Sequence, residues 1–180
     1  MSSIKVKQHD IKDCGAACLA SIGNHYNLHL PIAKIRQLAS TDMRGTNVLG
    51  MIQAAEKMGF SAKGVKGGIE AIPKIPTPTI AHVILKNQYH HFVVIYKVGK
   101  NSIEVMDPAF GKIIKYTIDD FKEIWSGVLI LMAPSEEFKV YNETVSPYKR
   151  FWDLVLPHKY TLIQSIVGAL LYTVLGLSMS

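Results

Sequence analysis

The sequence is short of cysteine and of clustered charge, and no long apolar run lies near its start; each shortage removes a class of protein. Two cysteines in 180 residues, Cys14 and Cys18, stand one helical turn apart. That is no disulfide framework for a secreted domain, and it points to a reducing, cytoplasmic setting. Lys and Arg outnumber Asp and Glu by 20 to 14, a formal net charge of +6, yet the basic residues are scattered singly, as at Lys5, Lys34, Arg36, Lys57, Lys86 and Lys122. Nucleic-acid binding gathers such residues with interleaved aromatics, so no nucleic-acid partner is expected. Residues 1–13 carry polar and charged side chains rather than a cationic stub before an apolar run, which excludes a signal peptide there. A phosphate-binding loop is missing as well: Gly59-x4-Gly64 is followed by Val65 where a lysine must stand, and no Ser or Thr follows Lys66.

What is present is enough for a packed domain and an appendage, with 48% hydrophobic residues. Residues 14–25 read as a first helix. Pro31 reads as the first position of a second, running to about Ala39. Thr46 is a candidate N-cap for a third helix, in which Val48, Met51, Ile52, Ala55 and Met58 recur at helical spacing before Gly59 ends it. The period then changes. Phe60–Val65, Thr79–Leu85, Phe92–Val98, Ile103–Met106, Lys112–Tyr116 and Val128–Met132 are short β-branched or aromatic runs between turn residues, with a short helix from Asp119 to Trp125 before the last. Helices followed by a mostly antiparallel sheet predict an α+β fold.

The predicted organisation is a globular domain over residues 1–133, a polar linker over 134–150, and an interfacial segment and transmembrane helix over 151–180. Tyr160–Ser180 contains no charged residue, and Gln164 is its only strongly polar side chain. Its Ser, Thr and Gly residues also suit a buried amphipathic helix, but such residues are common in membrane helices. Trp152 and Tyr160 are placed as headgroup-level aromatics. Lys149, Arg150, His158 and Lys159 precede the span, which keeps that flank cytoplasmic.

Chemistry concentrates at Gln8-His-Asp-Ile-Lys-Asp-Cys14-Gly-Ala-Ala-Cys18. Cys14 opens an apolar, helix-permissive segment, so its thiol is expected at a helix N-terminus, where the macrodipole favours thiolate. A thiol nucleophile needs a base, and the base needs a third group to fix its tautomer. His91 begins the Phe-Val-Val-Ile-Tyr strand and Asp107 closes the Ile-Glu-Val-Met strand, with the turn-like Gly99-Lys100-Asn101 between them. A hairpin folded about Gly99 sets His91 opposite Asp107, at about 4.5–5.5 Å between facing residues. Gln8, six residues before Cys14, is a candidate amide donor to an oxyanion beside the backbone N–H of Cys14.

These residues, Gln8-x5-Cys14-Gly-x-x-Cys18, His91-Phe-Val-Val and Asp107-Pro108, resemble the bacteriocin-processing, papain-like peptidase domain of peptidase-containing ABC exporters. The resemblance covers residues 1 to about 133. It implies a cytoplasmic cysteine peptidase that removes leader peptides after a Gly-Gly motif, with Cys14 as nucleophile, His91 as base, Asp107 orienting His91, and Gln8 in the oxyanion hole. It implies further a precursor peptide as substrate, a membrane partner through the C-terminal span, and a homodimer in the complete exporter. No cofactor is expected for the peptidase; ATP and Mg belong to an ATPase domain outside these residues.

Competing readings are specific. Cys14 and Cys18 with His90 and His91 would make a metal set, but adjacent strand residues point to opposite faces; Cys18 is expected to pack as a small hydrophobe. His90 competes with His91 as the base, and strand parity aims it away. His82, His9, His25 and His29 read as surface or core-edge histidines, Asp13 as a helix cap, and Asp107 before Pro108 equally as a turn residue. At the level of function the alternatives are a non-catalytic domain of the same fold that binds export cargo, and a membrane-anchored cysteine hydrolase unrelated to export.

Overall fold

In a computed structural model of the protein, residues 3–41, 45–144 and 147–178 are described. Positions 145–146 of the expected linker and 179–180 of the expected span lie outside them. The chain divides into two units, residues 1–143 and 144–180.

The first unit opens with α1 (Cys14–His25), α2 (Ile32–Leu38) and α3 (Val48–Lys57). Every residue of α1 from Cys14 to Gly23 is buried. A helix buried all round needs small residues where neighbours approach closely, and a Cβ on Gly15 would stand 3.1 Å from Met51 Sδ. Two starts differ by one residue from the predicted ones. Pro31 is the cap of α2 rather than its first turn. At α3, Asn47 Oδ1 takes the Gly50 N–H at 2.7 Å, whereas Thr46 Oγ1 is engaged with Thr41 Oγ1 at 2.6 Å.

Six strands follow: β1 (Phe60–Lys66), β2 (Thr79–Leu85), β3 (Tyr89–Val98), β4 (Ser102–Asp107), β5 (Lys112–Thr117) and, after α4 (Ile118–Ile124), β6 (Trp125–Pro134). They form one sheet in the order β1-β6-β2-β3-β4-β5, with antiparallel neighbours throughout. The α+β expectation holds. The sheet separates two cores. On one face Leu19, Ile22, Ile35 and Met51 pack with Phe92, Val94, Met106 and Ile130; on the other Phe121 of α4 and Ile72 pack with Val93, Ile95, Ile103 and Val105. Successive residues of β3 thus enter opposite cores, which accounts for its unbroken apolar run.

The polar stretch after Pro134 is packed on this unit as far as Glu143. Phe138 sits 4.7 Å, centroid to centroid, from Phe60 and 6.3 Å from Tyr26. His29 N–H donates to the Tyr141 carbonyl and Glu143 N–H to the His29 carbonyl, both at 2.9 Å, and Glu143 pairs with Lys34. Gly59 suits this contact twice over: its φ is +88°, and a Cβ there would stand 3.2 Å from the Phe138 backbone.

The second unit contains α5 (Pro147–Val155) and α6 (Lys159–Ser178). Phe151–Gly176 is long and apolar enough to cross a membrane. Two of its hydroxyls return to the helix backbone, Ser165 Oγ donating to the Thr161 carbonyl and Thr173 Oγ1 to the Ala169 carbonyl. Trp152 and Tyr160 are exposed.

Candidate active site

Cys14 is the first residue of α1 and is buried. The short 3-10 turn Ile11–Asp13 delivers the chain to it. Asp13, 1% exposed, is occupied within that turn: its Oδ2 accepts the Asp10 N–H at 3.0 Å, and its Oδ1 lies 3.2 Å from Arg36 Nε. The carboxylate therefore fastens the turn to α2, and it makes no side-chain cap on α1.

His91 and Asp107 meet in the sheet, both buried, with His91 Nε2 2.9 Å from Asp107 Oδ1. The register that brings them together differs from the predicted one. Val94 faces Met106 and Ile95 faces Val105, with a bulge between Ile95 and Lys97. Asp107 therefore lies beside Val93, two residues along β3 from His91 and on the same face, and the pair touches diagonally rather than head-on. Asp107 Oδ1 also accepts the Ala109 N–H at 2.9 Å. The turn residue and the histidine partner are one and the same carboxylate oxygen.

Opposing influences act on the ionisation of His91. Burial lowers its pKa, but the hydrogen bond to Asp107 and the interaction with the Cys14 thiol outweigh it and raise the imidazole from 6.5 to about 9. With Nε2 engaged by Asp107, Nδ1 is the nitrogen left for Cys14. It is buried and, among the described residues, forms no complete hydrogen bond. Such contacts are often loose before substrate binds. Tyr89 links His91 to the turn before Cys14: its ring lies against His91 at 5.8 Å, and its hydroxyl donates to the Ile11 carbonyl at 3.1 Å.

Gln8 is tied to the same corner, its backbone N–H donating to the Pro108 carbonyl at 2.9 Å, and its Oε1 is buried without a hydrogen-bond partner among the described residues. Cys18 is fully buried; burial first, then Cys14 and Asp107, push its thiol well above the ordinary range, so it packs rather than reacts. His90 turns from His91 to His82, with 3.2 Å between His90 Nδ1 and His82 Nε2.

Cys14 opens on a cavity of about 520 Å³ whose walls include Ile11, Asn47, Val48, Tyr89 and Phe92. His82 and His90 line it as well, a position that reading His82 as a surface or core-edge histidine and His90 as aimed away by strand parity missed. The signal lay in the β2–β3 hairpin, where His82 faces Phe92 and His90 faces Ile84, making the two histidines diagonal neighbours on one face.

A thiol at a helix start, paired with an imidazole that a carboxylate holds on an antiparallel sheet, defines a cysteine peptidase of the papain-like class. The chain belongs to the peptidase C39 family, whose model matches residues 3–137. It is 41% identical over 160 residues to the lactococcin-G-processing and transport ATP-binding protein LagD of Lactococcus lactis, covering 88% of this chain and 23% of that protein. To the transport/processing ATP-binding protein ComA of Streptococcus pneumoniae it is 32% identical over 173 residues, covering 94% and 24%. The chain thus spans about a quarter of the curated relatives it matches. Among solved structures, the peptidase domain of Streptococcus ComA superposes with a TM-score of 0.70 at 33% identity, covering 74% of this chain and all of that one. A double glycine motif protease from an AMS/PCAT transporter, solved with its leader peptide, superposes with a TM-score of 0.67 at 27% identity, covering 73% and 91%.

Proposed function

We propose that this cysteine peptidase removes the leader of a secreted bacteriocin-type or signalling peptide, cutting after a Gly-Gly motif, and that the cut is coupled to export by an ATP-binding cassette transporter. The observation that carries the reading is the buried His91–Asp107 contact beside Cys14. Support for the substrate comes from the relatives, whose names describe processing and transport, and from the likeness to a double glycine motif protease.

The chemistry follows from the arrangement. The Cys14 proton passes to His91 Nδ1 while Asp107 holds Nε2–H, so the imidazole cannot turn away as it gains charge. The thiolate attacks the carbonyl carbon of the residue before the scissile bond, and the carbonyl π pair moves onto oxygen. The Cys14 backbone N–H and the Gln8 amide are the donors assigned to that oxyanion. As the tetrahedral adduct collapses, the C–N bond breaks and His91 returns its proton to the leaving amine, leaving a thioester on Cys14. Water, deprotonated by His91, then attacks the thioester and the thiol is regenerated.

In the complete protein, Phe151–Gly176 is assigned to the membrane, with the peptidase on the cytoplasmic side and a homodimer as the working exporter. ATP and Mg are assigned to an ATPase domain outside residues 1–180. A cargo-binding domain without activity is the second reading, and the presence together of Cys14, His91 and Asp107 argues against it.

The test uses the full chain in detergent and a fluorogenic peptide with a helical leader ending in Gly-Gly. Wild type cuts after Gly-Gly, and Cys14→Ala lowers the rate by at least about a thousandfold while still binding the peptide. Equal cleavage by the two proteins would sink the assignment.

A further inference from the structure

Beside Cys14, β2 and β6 pair irregularly. Ala81 faces Leu129 and Val83 faces Trp125, so His82 alone stands opposite three residues, Ser126 to Val128. Gly127 takes φ +85° inside this bulge. Bulges re-aim side chains next to active sites, and this one places a hydroxyl where a ladder bond would otherwise run: Ser126 Oγ donates to the His82 carbonyl at 3.0 Å.

That bond fixes the tautomer of His82. Ser126 has one hydroxyl proton, and it is committed to the carbonyl, so its oxygen accepts from His82 Nδ1–H at 2.7 Å. Val128 N–H, 3.4 Å away, approaches the same oxygen. His82 therefore carries its proton on Nδ1 and presents a lone pair on Nε2, which takes His90 Nδ1–H at 3.2 Å. Burial, then His90 and His91, hold the His82 pKa below its ordinary value, which keeps that lone pair free of a proton. In the neutral imidazole the remaining nitrogen, His90 Nε2, is an acceptor, and it stands on an exposed side chain that lines the Cys14 cavity. The same proton count rules out Ser126 as a second nucleophile, because His82 donates to it and cannot serve as its base.

We propose that His90 is a substrate-binding residue whose Nε2 accepts a main-chain N–H of the peptide seated beside Cys14, with His82 and Ser126 as positioning residues that fix its tautomer. This rests on the peptidase reading and adds a subsite to it. A main-chain contact suits a substrate cut next to glycines, where side chains offer little to grip. His82 and His90 stack at 5.2 Å between ring centroids, and Phe92 lies 5.1 Å from His82, so the acceptor is held by rings on a strand rather than by a loop.

The experiment measures kcat and KM of the full chain in detergent on the Gly-Gly peptide and on a series in which each amide near, but not at, the scissile bond is replaced in turn by an ester. In wild type one ester raises KM about tenfold, the scale of one well-placed hydrogen bond. His90→Ala raises KM on the all-amide peptide by a similar factor, keeps kcat within about twofold, and abolishes the penalty of that ester. Ser126→Ala raises KM less, with kcat unchanged. The ester series on wild type needs no variant to fold, and a series without a KM penalty overturns the proposal. So does a penalty that persists in His90→Ala. Cleavage by Cys14→Ala would instead refute the underlying peptidase assignment, so the two failures read differently.

Discussion

His90 and His91 are neighbours on β3, yet one is buried against a carboxylate and the other is exposed and joined to a second histidine. Strand parity separates them, and the surroundings then give them different chemistry. His91 meets Asp107 and Cys14, two groups that favour its cation, and its pKa rises to about 9. His90 meets His82, a neutral acceptor fixed by Ser126. Residue type says nothing of this difference; it lies in which face each side chain enters and in what the neighbouring strand brings there.

The largest effect that tests this contrast is on turnover. His91→Ala is expected to lower kcat by about a thousandfold or more, whereas His90→Ala leaves kcat nearly intact. A large kcat loss confined to His90→Ala would reverse the two roles. Asp107→Asn comes next. It keeps the shape but removes the charge that holds His91 in its tautomer, and it should lower kcat by about a hundredfold or more with little change in KM.

The pH profile sharpens the same point. His91 is raised from 6.5 to about 9, so its cation, the acid for the leaving amine, persists at neutrality. Activity should fall as pH rises through about 9, and in Asp107→Asn that limb should move to lower pH. For stability the sign is that of a group with a raised folded pKa: the contribution is full below about 6.5 and lost as pH rises through about 9. The gap in urea midpoint between wild type and Asp107→Asn should accordingly close across that window.

The smallest effect on catalysis belongs to Phe138, far along the chain from either histidine. Phe138→Ala should cost the first unit about 2 kcal/mol by denaturant titration, with kcat/KM of the folded protein unchanged.

Much of this was legible from residue order. The helices around Cys14, Ile35 and Met51 and the six strand runs are local patterns of period and capping, and the expected runs overlap the observed elements. Pairing was less legible. Nothing in β6 indicates that it inserts between β1 and β2, because strand order is decided by packing on both faces. The expected hairpin named the right partners for an incorrect register: the turn is centred between Lys100 and Asn101, with Val98 facing Ile103, rather than on Gly99; the bulge between Ile95 and Lys97 takes back one residue of that offset, and His91 reaches Asp107 as a diagonal neighbour. The Ser126–Val128 bulge was invisible for the same reason, and with it the role of His82. The approach of Cys14 to His91 is a contact between helix and sheet that no local pattern encodes.

The most direct measurement is covalent capture. The full chain is incubated with a leader peptide ending in a Gly-Gly chloromethyl ketone, whose chloride the thiolate displaces to leave a stable thioether, and the modified residue is located by mass spectrometry. One equivalent on Cys14, formed at comparable rates by wild type and His90→Ala at saturating peptide and far more slowly by His91→Ala, is the predicted result. Capture at Cys18, or capture at Cys14 that does not depend on His91, would contradict the account.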